Sequence, residues 1–150
     1  LAPVKLNGKW GAVDHQDRLV IQPKFDSISV FRNDVAVARV HGKLGIIDRN
    51  GFRLDANFDE LLPAADGKTY VSRSGKHYGL VRTDGTILLE ARYENLELTG
   101  DNQVLVKDGL WGVVTTSGLS VIPIQYEYLR FLQESGTYLA KTDGMREILH

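Results

Sequence analysis

The hydrophobic positions of this chain fall in short runs. Val35-Ala36-Val37-Ala38-Arg39-Val40, Thr69-Tyr70-Val71-Ser72-Arg73 and Gln103-Val104-Leu105-Val106-Lys107 are rich in aliphatic and β-branched residues and end at a Gly or Asp-Gly turn. That pattern predicts strands. A second short run follows each and closes in Asp48-Arg49-Asn50-Gly51, Arg82-Thr83-Asp84-Gly85 or Thr115-Thr116-Ser117-Gly118. These endings predict hairpin loops with a type I turn and a left-handed glycine, which takes positive φ without steric cost. Asp17 holds that place in the first instance, and Asp tolerates the conformation. A third run covers 18–25, 52–58, 86–93 and 119–126, and Pro23 and Pro123 within it predict an edge strand or a bulge. No segment has a helical period, apart from one loose turn expected over Glu127 to Glu134.

The runs recur. Gly8-Lys9-Trp10-Gly11, Gly42-Lys43-Leu44-Gly45, Lys76-His77-Tyr78-Gly79 and Gly109-Leu110-Trp111-Gly112 align, with their last glycines at steps of 34, 34 and 33. An aromatic followed by an acid recurs at Phe25-Asp26, Phe58-Asp59, Tyr93-Glu94 and Tyr126-Glu127. The basic residues Lys5, Arg39, Arg73, Lys107 and Lys141 are spaced 34 apart. The predicted unit is a three-stranded antiparallel meander of about 34 residues. A lone meander cannot bury its apolar face, so units must stack, with Trp10, Leu44, Tyr78, Trp111 and Phe25, Phe58, Tyr93, Tyr126 in the seam. A glycine beside each ring would let a neighbouring backbone or ring approach closely. The chain reads as one all-β repeat domain, 1–150, with repeats at about 1–34, 35–68, 69–102 and 103–136 and a degenerate capping unit at 137–150. An open, curved, solenoid-like array is expected in preference to a small β-propeller, whose best-known blades have four strands and about 40–45 residues.

Gly8-Lys9-Trp10-Gly11-Ala12-Val13-Asp14, a turn, then Val20-Ile21-Gln22-Pro23-Lys24-Phe25-Asp26 resembles the WG-repeat (KWG-repeat) family of bacterial proteins. Leu110-Trp111-Gly112-Val113-Val114 with Val121-Ile122-Pro123-Ile124-Gln125-Tyr126-Glu127 repeats the resemblance, which extends over essentially the whole chain. The second unit departs with Leu44 for the aromatic, and the third with Tyr78 for Trp and no proline. The fifth begins at Tyr138-Leu139-Ala140-Lys141-Thr142-Asp143-Gly144 but has Arg146 and Glu147 where Trp and Gly should stand. The resemblance implies a binding or spacer module, often in envelope or secreted proteins. It carries no catalytic motif to transfer.

Composition narrows the classes further. Eighteen Lys+Arg against 19 Asp+Glu leave a formal net charge of −1 over 150 residues, and the sequence pI is about 6.5, which argues against a nucleic-acid binder. No apolar run approaches the ~18–20 residues of a membrane helix. Leu1-Ala2-Pro3-Val4 lacks a charged region leading into an apolar one, so a mature, trimmed or never-targeted chain is expected. The absence of cysteine removes disulfides, zinc-thiolate sites and Cys nucleophiles. His15, His41, His77 and His150 stand in no zincin spacing and read as turn residues. There is no Gly-x-Ser-x-Gly elbow, no phosphate loop and no calcium-loop acid pattern beyond Asp48-Arg49-Asn50-Gly51. A non-enzymatic protein with no cofactor and no metal is expected.

Binding is the remaining class. Variable segments follow each aromatic-acid pair: 29–33, 62–67, 97–102 and 130–134. Variation on one edge is how repeat proteins diversify a binding face, and Phe31, Arg32, Arg130 and Phe131 are the candidate anchors for a protein partner. The expected role is protein recognition in bacteria, with an immunity or inhibitor protein as a specific case. The alternative is an envelope glycan or lipid headgroup bound by the cationic row Lys5, Arg39, Arg73, Lys107 and Lys141. A periplasmic or secreted location is favoured over the cytoplasm.

Overall fold

A computed structural model describes residues 1–100, 102–142 and 144–150, and every regular element among them is a β-strand. Asp101 of the third variable segment and Asp143 of the terminal turn lie outside the described residues. Five small antiparallel sheets follow one another along the chain, none of them closed. The first contains β1 (Ala2–Leu6), β2 (Lys9–Val13) and β3 (Leu19–Phe25). The second contains β4 (Ser27–Ile28), β5 (Ala36–Val40), β6 (Lys43–Asp48) and β7 (Gly51–Phe58). The third holds β8 (Glu60–Pro63), β9 (Thr69–Ser74), β10 (His77–Arg82) and β11 (Ile87–Tyr93). The fourth holds β12 (Asn95–Gly100), β13 (Gln103–Asp108), β14 (Leu110–Thr115) and β15 (Ser120–Tyr126). The last has β16 (Tyr128–Leu132), β17 (Thr137–Thr142) and β18 (Met145–Leu149).

The predicted meander is present in each full repeat, and the left-handed turn positions Asp17, Gly51, Gly85 and Gly118 all have positive φ. One expectation changes. The segment after each aromatic-acid pair is not simply a loop: β4, β8, β12 and β16 are strands that open the next sheet and pair with its first long strand. Glu127 to Glu134 is therefore mostly strand rather than helical turn. Their pairing uses backbone groups that every residue carries, so sequences such as Glu60-Leu61-Leu62-Pro63 give little alternation to read.

Residues 1–75 with 81–87 form one unit, and 76–80 with 88–150 the other. In the first, Ala12, Ile21 and Phe25 pack with Ile28, Ala36, Ala38 and Ile47. Ile46 belongs to a separate cluster with Leu54, Phe58, Leu61 and Val81. Ile46 and Ile47 are chain neighbours, each 1% exposed, and alternation along a strand sends them to opposite faces. The second sheet is thus buried on both sides, which is why β6 reads as a continuous apolar run. Phe25 meets Phe52 edge-on, with ring centroids 5.7 Å apart. In the second unit, Leu105, Val113 and Ile122 pack with Leu129, Tyr138 and Ala140. The buried Tyr138 hydroxyl donates to Gln103 Oε1 at 2.9 Å and lies 2.6 Å from Thr99 Oγ1.

The repeated glycine has a structural cause. Trp10 pairs with Phe25 and Ala12 with Ile21, so a two-residue step on β2 is matched by a four-residue step on β3. The same bulge separates Leu44/Phe58 from Ile46/Leu54 and Trp111/Tyr126 from Val113/Ile122. A Cβ on Gly11, Gly45 or Gly79 would overlap the carbonyl oxygen of Ile21, Leu54 or Leu89 on the bulged strand, and on Gly112 it would come within 2.8 Å of that of Ile122. The close neighbour is backbone, not a ring. Pro23 and Pro123 lie within these bulged strands, where a missing N–H is tolerated.

Candidate binding surfaces

Each acid of the aromatic-acid pair sits at the bend between two sheets, its backbone fixed by the next strand. The amides of Asp26, Asp59 and Glu94 donate to the carbonyls of Arg39, Arg73 and Lys107, each at 2.8 Å. That bond puts the acid and the cation of successive sheets side by side. The Asp59 carboxylate accepts from the Lys43 ammonium and from the Gly75 amide at 2.7 Å, and lies 3.9 Å from Arg73. Glu94 accepts from the Gly109 amide at 2.8 Å and faces Lys107 at 3.9 Å. Asp26 accepts from Lys9 at 2.6 Å. The Lys9 ammonium, with the His41 amide, holds the Asp26 carboxyl below its ordinary 3.8. For Asp59 the Lys43 ammonium and then the Gly75 amide do the same.

The cationic residues occupy equivalent places on β1, β5, β9, β13 and β17, but their surroundings differ. Lys5 pairs across the hairpin with Trp10, Arg39 with Leu44, and Lys107 with Trp111, over whose ring it lies at 5.8 Å. The Arg39 guanidinium donates to the Gly42 carbonyl at 3.0 Å. Arg73 pairs with Glu60 at 3.2 Å. At the fifth position Lys141 stands directly opposite Arg146. Neither they nor Arg130 forms an ion pair among the described residues. Tyr128, Arg130, Leu139, Lys141 and Arg146 line a shallow cleft of about 320 Å³ on this face.

The four candidate anchors divide. Arg32 is exposed in a tight turn closed by reciprocal bonds with Val35 at 2.9 and 3.1 Å, with Asn33 and Asp34 both at positive φ. Phe31 beside it is half-buried against the first unit's core. Arg130 and Phe131 are on β16 rather than in a loop. Phe131 turns inward to Tyr138, 5.1 Å between ring centroids, whereas Arg130, the next residue back along the strand, faces outward. Sequence reasoning did not single out Tyr128 or Arg146 as surface residues. Arg146 was visible only as a departure from the repeat, because its significance depends on Lys141 lying across from it.

The four histidines are exposed, and among the described residues no three His, Asp or Glu side chains gather into a metal-binding arrangement. No curated protein and no solved structure matches the chain. Two stretches, residues 10–43 and 111–145, match the WG containing repeat. Both begin at a seam tryptophan, run through the bulged strand and the aromatic-acid bend, and end in the following hairpin. The chain carries the WG containing repeat in these two stretches.

Proposed function

We propose that this protein is a non-enzymatic bacterial binding module that recognises a protein partner. The supporting observation is the division of labour within the repeat. Positions shared by the units are spent on bulge glycines, two-sided cores and sheet-junction acids, while the residues that differ lie in the segments after each junction. A scaffold that spends its shared positions on holding the repeat together and varies the segments between them suits recognition. Neutralising a toxin or enzyme, as an immunity or inhibitor protein does, is the specific form proposed, and an envelope location goes with it. The glycan or lipid alternative ranks second because Arg73 and Lys107 of its cationic row already face carboxylates. Affinity capture from bacterial lysate, with Arg32→Glu and Arg130→Glu variants alongside, tests the reading. Capture of a discrete protein, lost on either variant, supports it; a glycan or anionic vesicle bound in place of any protein overturns it.

A further inference from the structure

The chain holds two Asn-Gly pairs, Asn7-Gly8 and Asn50-Gly51, each in an exposed hairpin turn. Such a pair can close on itself, because the glycine nitrogen, unshielded by any Cβ, reaches the carboxamide carbon of the asparagine before it. Asn33, Asn57, Asn95 and Asn102 are each followed by a residue with a side chain, which hinders that approach. At Gly8 and Gly51 the space a Cβ would take is empty to 4 Å, so nothing packed nearby blocks either ring. In sequence and in room the two pairs are alike.

Their nitrogens differ. In the turns that lead into the bulged strands, the fourth residue donates back across the loop: Asp17 to the Asp14 carbonyl at 3.1 Å, Gly85 to Arg82 at 2.9 Å and Gly118 to Thr115 at 2.9 Å. Gly51 is the fourth residue of the same turn and is paired directly with Asp48, so its N–H is the closing donor. The Asn50 N–H is held as well, by the Asp48 carboxylate at 2.7 Å. Asn7 and Gly8 instead fill a two-residue turn, with φ of 51° and 82°, between the paired Leu6 and Lys9. In a turn of this type I′ kind the flanking residues close the loop, and the Gly8 N–H finds no backbone acceptor among the described residues. The Gly51 nitrogen must break a hydrogen bond before it can lose its proton; the Gly8 nitrogen need not. This openness belongs to the turn itself. His41-Gly42, the equivalent pair in the second sheet, also has positive φ at both residues, 52° and 79°, and an empty Cβ position at the glycine.

We infer that Asn7 is a site of spontaneous deamidation and that Asn50, in the same dipeptide, is protected by its turn. The Gly8 nitrogen gives its proton to water and bonds to Cγ of Asn7; the Cγ–Nδ2 bond breaks, and Nδ2 takes up a proton and leaves as ammonia. A second water opens the resulting succinimide at Cγ to give aspartate, or at the main-chain carbonyl to give isoaspartate. The isoaspartate carries an extra main-chain methylene that a two-residue turn cannot hold in register. The experiment ages the full chain at mildly alkaline pH in heavy-oxygen water and then maps it by mass spectrometry after tryptic digestion in ordinary water, which releases residues 6–9 and 50–53 as separate peptides. Heavy-oxygen carboxylate should accumulate at Asn7 about fivefold or more faster than at Asn50, the margin set by the Gly51 hydrogen bond. In urea the two rates should converge. His41→Asn, which makes the same pair in the second sheet's turn and suits its positive φ, should convert at a rate close to that of Asn7. An intact Asn7, an Asn50 that converts as fast in the folded chain, a difference that survives in urea, or an inert His41→Asn variant overturns the inference.

Discussion

The second and fifth sheets are the same hairpin under two sets of conditions. In the second, β5 and β6 are flanked by β4 and β7 and buried on both faces, so Gly45, Ile46 and Ile47 in succession are all inside. In the fifth, β17 and β18 have core on one face only, and the corresponding stretch Glu147, Ile148, Leu149 is exposed or half-exposed. Burial demanded a glycine and a seam hydrophobe in one case. Its absence allowed Glu147 and Arg146 in the other. The repeat consensus is therefore a record of what each sheet packs against.

The sharpest test of that contrast is the bulge glycine. Gly45→Ala places a methyl group onto the Leu54 carbonyl and should destabilise by about 3 kcal/mol or more, measured as a shifted urea midpoint. Glu147→Gly, the reverse exchange at the equivalent place, should cost only about 1 kcal/mol through backbone entropy. A chain that tolerates Gly45→Ala as easily would break the account of the bulge. The adjacent position separates the sheets nearly as well. Ile46→Ala should cost about 2–5 kcal/mol, and Ile148→Ala, at 47% exposure, within about 0.5 kcal/mol. Equal losses in thermal denaturation would mean that β18 is buried in solution.

Smaller effects refine the comparison. Ser72 is fully buried and its Oγ has no hydrogen-bond partner, at the place where β5 has Ala38 and β17 has Ala140. Ser72→Ala should raise stability by about 1 kcal/mol, and a lower melting temperature would show that the hydroxyl is satisfied. The junction acids predict an acid limit. Because hydrogen bonds from Lys9, Lys43 and the Gly75 amide lower the Asp26 and Asp59 carboxyls from 3.8 in the folded chain, their stabilisation is complete above the unfolded value and is lost as pH falls through the folded values. Denaturation midpoints should decline below about pH 4, less steeply in Asp59→Asn. A slope unchanged by that substitution would remove Asp59 from the account. Least of all, Arg146→Gln should stabilise by a few tenths, about 0.2–0.5 kcal/mol, by separating Lys141 from a like charge. The gain should shrink in high salt.

Much of this was legible in the residues. The runs read at 18–25 and 86–93 from apolar residues bounded by turn chemistry are strands over Leu19–Phe25 and Ile87–Tyr93, and the left-handed Asp17 follows from its alignment with glycines. The recurring acids were legible as a series, but their partners were not, because Asp59 and Glu94 accept the amides of Gly75 and Gly109 from the next sheet's hairpin. The short opening strands were not legible, because β4, β8, β12 and β16 are held by backbone pairing to a neighbour rather than by any side-chain period. Phe131 was read as a surface anchor for a related reason: only the β16–β17 register turns it toward Tyr138 and its neighbour Arg130 outward.

The sequence by itself determined the repeat, the hairpins and the positions where glycine is obligatory, since these depend on local turn geometry and on regularities counted along the chain. Tertiary structure decided which of two adjacent residues belongs to which core, why the glycine faces backbone rather than a ring, and that Lys141 and Arg146 share one face. Those facts depend on strand register, and a shift of one residue in register moves every side chain to the opposite face of the sheet.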